Sequence, residues 1–211
     1  KAVAALAHEV DNVYLLATAQ WFACRLELAE GSVPPIPSAH LWCLGKAPAF
    51  QYRWAEFPDL TYARLLIAQG TRSSLAEAVE VLQRMAEFSA RYHMHWRRLE
   101  ALAVLALAQA AQGRESTALE TLRAAVELAQ PQPYIRTFVD LGPQMAALLY
   151  KLAQSGVATE YIGRLLAAFP LAARNNLAVV VAAQRDDEII EPLSERELEV
   201  LGLLAERLSD K

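Results

Sequence analysis

The apolar positions of this chain recur at steps of three and four residues, the period of an α-helix with one buried face, and almost nowhere alternate as a strand would. Leu75, Ala78, Val79, Leu82, Met85 and Ala86 form one such stripe; Ala118, Leu119, Leu122, Ala125, Val126 and Ala129 form another. Each stripe follows an apolar segment that closes on a glycine, Leu65 to Gly70 before the first and Leu105 to Gly113 before the second. A glycine just past a helix end fits left-handed backbone, where a Cβ would clash. Ala78-Val79-Glu80-Val81-Leu82 aligns with Ala118-Leu119-Glu120-Thr121-Leu122 at an offset of forty residues. The pattern predicts a repeated unit of helix, glycine turn and helix. Small Ala78 and Ala118 let the paired helices approach, and Leu82 and Leu122 fill the gap one turn on.

The remaining segments extend this picture. Residues 2–30 are expected to form one or two further helices ending at Gly31, and residues 32–48, with four prolines, a loop that carries a half-buried Trp42. The segment 96–112 is apolar almost all round from Ala101 to Ala108, so it should be the most enclosed helix, with Leu105 the position most sensitive to a polar substitution. Gln130-Pro131-Gln132-Pro133 should stop the helix that begins near Ser116, because proline disfavours helical geometry in the residue before it. The array is therefore expected to end near residue 130. A connector from Tyr134 leads to Pro143, which suits the first turn of a helix running to about Gln154. Two short helices are expected over 158–169 and 171–183, and the charged stretch Gln184 to Glu191 reads as a tether.

The predicted fold is all-α, a tetratricopeptide-like helical-repeat solenoid of antiparallel helix hairpins. Its period exceeds the usual ~34 residues, and the leading Trp and Tyr of the standard pattern are missing. The expected organisation is a helical-repeat sensor domain over 1–183, with its C-terminal helices at 143–183, a linker at 184–191 and a separate terminal module at 192–211.

Composition supports helix throughout. Of the 211 residues 55% are hydrophobic, enough for a sizeable core, while Gly (8) and Pro (10) are sparse. No run of about eighteen apolar residues escapes a charge, and the first residues lack the parts of a signal peptide, so a soluble, cytoplasmic protein without a membrane partner is expected. The two cysteines, Cys24 and Cys43, form no CxxC pair, which leaves them as reduced thiols. The net charge of −4 argues against nucleic acid binding by this stretch itself, since phosphate contacts need a basic face.

The terminal module carries the most specific motif. Ser194 followed by Glu197 is a capping box, and Leu193, Leu198, Leu201 and Leu204 lay an apolar stripe behind it. Leu193-Ser194-Glu195-Arg196-Glu197-Leu198-Glu199-Val200-Leu201 resembles the first helix of the LuxR-type helix-turn-helix domain, and Leu208-Ser209-Asp210-Lys211 resembles its Leu-Ser-Asn-Lys, with Asp210 in place of Asn. The ordered set from Ala63 to Gly70, from Tyr134 to Pro143 and from Tyr161 to Leu166 is similar to the C-terminal half of the large MalT-like LuxR regulators. The resemblance covers most of residues 55–211, and residues 1–54 match only as generic repeat helix. It implies a transcriptional regulator whose helical-repeat sensor controls a C-terminal DNA-binding domain. DNA contacts would lie mostly beyond Lys211, itself the one residue here placed to touch a phosphate. It also implies an ATPase domain elsewhere in the full-length protein; for the present chain no cofactor is expected.

Catalysis has no anchor in the sequence. There is no G-x-x-x-x-G-K-S/T phosphate loop, no G-x-G-x-x-G run and no G-x-S-x-G elbow. His93 and His95 stand two apart, which on a helix turns them in different directions, so neither a metal site nor an enzyme is expected. A solenoid binds ligands on the surface lined by the first helix of each repeat. Tyr62 and Arg64 on one such helix, with Trp96, Arg97, Arg98 and Glu100 on the next, supply stacking groups and charge, and these residues are the candidate ligand site. Each also has an ordinary structural explanation, since helical Tyr and Trp usually pack and Arg is usually solvated. The partner is a small-molecule effector or a regulatory protein in the groove, with homo-oligomerisation open. The alternative is a tetratricopeptide-like protein–protein interaction scaffold that senses no small molecule.

Overall fold

The computed structural model describes residues 5, 9, 13–37, 58–132 and 134–170, and among these the chain is helical with no strand. Eight helices follow in order: α1 (Val13–Ala29), α2 (Pro58–Gln69), α3 (Arg72–Arg91), α4 (His95–Ala111), α5 (Glu115–Ala129), α6 (Ile135–Val139), α7 (Pro143–Gln154) and α8 (Thr159–Ala167). Trp42 and most of its loop, the expected helix at 171–183, the tether at 184–191 and the terminal module at 192–211 lie outside the described residues.

The helix boundaries follow from local chemistry. Thr71 caps α3: its side chain accepts from the Ser74 N–H at 3.1 Å, while Ser74 Oγ accepts from the Thr71 N–H at 3.1 Å. That reciprocal pair satisfies two donors that the first turn leaves without helical partners. Pro143 opens α7, where its missing N–H is no loss. Gly70 and Gly113 adopt φ of +66° and +76°. A Cβ at either would meet no neighbouring atom within 4 Å, so the glycine requirement is the residue's own backbone and not crowding from the fold.

The helices pair as the repeat pattern predicts. α2 packs on α3, α3 on α4 and α4 on α5, with α2 also against α4. Leu75, Ala78, Val79, Leu82 and Ala86 of α3 are buried, as are Ala118, Leu122, Ala125, Val126 and Ala129 of α5. Ala78 and Ala118 are fully enclosed, as expected of small residues where helices meet. Met85 and Leu119, predicted on these faces, are only half-buried. α4 is the most enclosed helix, buried continuously from Ala103 to Gln109. Within it Leu99 and Val104 are slightly deeper than Leu105, and Leu65 and Leu82 of the neighbouring helices are fully buried.

The first core cluster joins α1 to this array. Trp21 and Tyr62 meet edge to face with ring centroids 6.2 Å apart, over Leu65, Leu82 and Val104. Beyond α5 the connector holds the short helix α6, whose Phe138 is fully buried; α7 and α8 then pack together, and Leu149, Leu152, Ile162 and Leu165 on them are buried. Lys151 of α7 reaches back to Glu115 of α5 at 2.8 Å, a partly exposed ion pair that contributes at most about 1 kcal/mol. Packing therefore continues past residue 130. The break after Ala129 separates α5 from α6 without ending the array.

Candidate functional site

The first helices of successive repeats line one cleft. Leu60 and Arg64 come from α2, Glu100 and Val104 from α4, Arg136 and Thr137 from α6, with Asp140 and Leu141 just after α6 and Arg25 from α1; the cleft volume is about 240 Å³. The spacing within each helix is i, i+4, which puts two side chains on the same face one turn apart. The spacing between helices is that of the repeat: Leu60, Glu100 and Asp140 stand forty residues apart, as do Arg64 and Val104. The cleft is thus one face of the repeating unit, shown three times.

Leu60, Val104 and Leu141 give the cleft an apolar side; three guanidinium groups, two carboxylates and the Thr137 hydroxyl supply the rest of its chemistry. Arg136 holds Asp140 through Nη2 at 2.9 Å, with Nε at 3.3 Å from the second carboxylate oxygen. Arg64 Nη2 donates to the backbone carbonyl of Asp140 at 3.3 Å, a direct tie from α2 to the end of α6. Glu100 is half-buried, and its Oε2 is enclosed. Arg25, Arg64 and Glu100 all have polar or electrostatic partners within the protein.

Of the candidate residues read from sequence, the structure brings Arg64 and Glu100 together in this cleft. Tyr62 lies on the buried side of α2, where its hydroxyl donates to Glu77 Oε1 at 2.6 Å. Trp96 stands 44% exposed in the first turn of α4. Arg97 is buried, with its guanidinium 5.8 Å from the Trp96 ring centroid and Nη1 at 4.0 Å from Met94 Sδ. Arg98, His93 and His95 are exposed. Lys211 lies outside the described residues. The cleft residues that sequence reasoning missed are Arg25, Leu60, Val104, Arg136, Thr137, Asp140 and Leu141; a repeat register carried one unit further would have pointed to Asp140.

Two other features bear on chemistry. Tyr161 of α8 is buried with no hydrogen-bond partner for its hydroxyl, and burial pushes its pKa above the usual phenol value, partly offset by the Arg164 guanidinium over its ring. Among the described residues no helix is long and apolar enough to cross a membrane.

No curated protein and no solved structure matches the chain closely enough to count as a relative. The family comparison is positive and runs from residue 4, so it takes in the N-terminal segment that reads from sequence only as generic repeat helix, and it continues through α7. With residues 4–155 matching the MalT-like TPR region, and that span making up most of its length, the chain belongs to the MalT-like tetratricopeptide family.

Proposed function

We propose that this chain is the signal-sensing region of a LuxR-type, MalT-like transcription regulator, and that occupancy of the cleft between the first helices of its repeats is the signal. The observation that carries the reading is that one cleft takes side chains from α1, α2, α4 and α6. A ligand held there contacts several repeats at once, so its binding energy depends on how they stack. An effector that prefers one stacking arrangement shifts the population toward it, which is how a binding event reaches a distant output module. The motif at 193–201 supports a DNA-reading output, and the lack of any nucleophile or phosphate-loop signature supports a non-enzymatic role.

The test is transcription from a reporter in cells expressing the whole protein with Leu60→Trp, which fills the cleft. Loss of the response, with the purified variant folded by circular dichroism, is the expected result. A full response in the filled variant overturns the reading.

A protein-binding scaffold is the second reading, and one observation favours it. Phe88, Tyr92 and Trp96, around the turn from α3 to α4, are 47%, 56% and 44% exposed, and the Phe88 and Tyr92 rings sit 4.6 Å apart. Exposed aromatics grouped in this way are typical of interface anchors. Stoichiometric capture of a partner protein that is lost on Trp96→Ala and kept with Leu60→Trp would support the scaffold over the sensor.

A further inference from the structure

We propose that the cleft takes a small organic anion carrying a hydrogen-bond donor: a carboxylate or phosphate group placed among Arg25, Arg64 and Arg136, and a hydroxyl or amine turned toward Glu100. This rests on the sensing role proposed above and names the ligand class for the same site.

Three observations carry it. The first is charge. Three arginines face two carboxylates across the cleft, an excess of one positive charge in a chain whose net charge is −4. Arg136 and Asp140 are paired at 2.9 Å, and Arg25, Arg64 and Glu100 are the other charged groups of the lining. The arginines already have partners within the protein, and the ligand adds to a guanidinium cluster rather than filling an empty one. A guanidinium has five donors in a planar fork, enough to hold a protein acceptor and an anion together.

The second is the wall chemistry. Leu60, Val104 and Leu141 keep part of the lining apolar, a surface for the hydrocarbon part of an organic ligand. Glu100 accepts from a donor at its end of the cleft, so it orients the ligand with its anionic groups toward the arginines. The third is size. At about 240 Å³ the cleft is of a size that suits a metabolite.

Calorimetry on the full chain tests this with four probes: glucose 6-phosphate, glucose, citrate and inorganic phosphate. Saturable binding of glucose 6-phosphate or citrate, at least tenfold tighter than glucose, is expected. Arg64→Gln should weaken it tenfold or more, as should Arg25→Gln, with unchanged circular dichroism. Preference for the phosphate ester over citrate identifies a phosphate ligand, and the reverse a carboxylate. Binding of inorganic phosphate as tight as that of the organic anions, or glucose equal to its phosphate, overturns the proposal, as does silence with all four. The sensing role is judged separately by the Leu60→Trp reporter: a lost response with silent anions leaves the cleft as the sensor and removes only the ligand class.

Discussion

The turn after α3 offers a sharp test of the backbone argument. α3 and α4 end in the same way. The His93 N–H donates to Ala90 O at 3.2 Å and the Met94 N–H to Ser89 O at 2.8 Å; the Gly113 N–H donates to Ala110 O at 2.9 Å and the Arg114 N–H to Gln109 O at 3.0 Å. These are the paired bonds of a Schellman motif, whose turning residue needs left-handed backbone. Gly113 supplies φ of +76° at no steric cost, whereas His93 holds φ of +54° with a Cβ. Left-handed geometry costs an L-residue roughly 1–2 kcal/mol. Glycine gives back about 0.5–1 kcal/mol through the larger freedom of the unfolded chain. The His93 side chain is exposed, so its removal forfeits little packing. His93→Gly should therefore stabilise the fold by about 0.5–1 kcal/mol, and Gly113→Ala, whose Cβ meets nothing within 4 Å, should destabilise it by a similar amount. For a chain of this length that is a rise or fall of about 1–4 °C in Tm. Urea unfolding followed by circular dichroism measures both with unchanged slopes. A destabilised His93→Gly would refute the reasoning, because it would mean that the imidazole is held by contacts worth more than the backbone strain.

Other substitutions test the packing and the site. Leu82→Ala, at a fully buried position where α3 meets its neighbours, should cost about 2–5 kcal/mol in urea unfolding, and a cost below 1 kcal/mol would show that the core is not where the repeats pack. Thr71→Ala removes one half of the capping box and should cost about 1 kcal/mol, with no loss expected if the α3 start were held by packing alone. Tyr161 contributes a pH dependence: its folded-state pKa is raised, so its share of stability is intact below the ordinary phenol value of about 10 and is lost as pH rises from there. Tyr161→Phe should flatten that alkaline decline, and by removing a buried hydroxyl with no partner it should leave neutral-pH stability unchanged or higher; a steeper decline in the variant would contradict the assignment.

The helices were legible because their apolar stripes are long and their ends carry chemistry. Gly70, Gly113 and Pro143 each mark a boundary that the structure places within a residue of the expected one, whereas the Thr71 cap emerges only from the structure. α6 was not legible as a helix, since five residues behind two prolines are too short to show a period. The same brevity hid a third of the cleft: Arg136, Thr137 and Asp140 belong to a first helix that is cut short, so the segment reads as connector. Arg25 escaped for a different reason, being tied to the site only through the packing of α1 on α2. Tyr62 and Arg64 illustrate a geometric limit that sequence does reveal, because residues two apart on a helix face in different directions, and here one is buried while the other lines the cleft.

Under the proposed sensing role, the forty-residue register also gives the cleft its chemistry. Leu60, Glu100 and Asp140 are the same position in successive units, but they carry an apolar group, an acid, and an acid already neutralised by Arg136. The repeat supplies the shape, and divergence at this one position supplies the chemistry. Across it, Arg64 reaches the Asp140 carbonyl through a hydrogen bond of 3.3 Å, at the long limit of useful geometry and exposed to solvent. Such a bond contributes no more than about 1 kcal/mol. A ligand that binds one arrangement of α2 and α6 tenfold better than another supplies about 1.4 kcal/mol, which exceeds that tie. Under the proposed role, this contact from α2 to α6 is weak enough for a small effector to replace, and Arg64→Gln removes it.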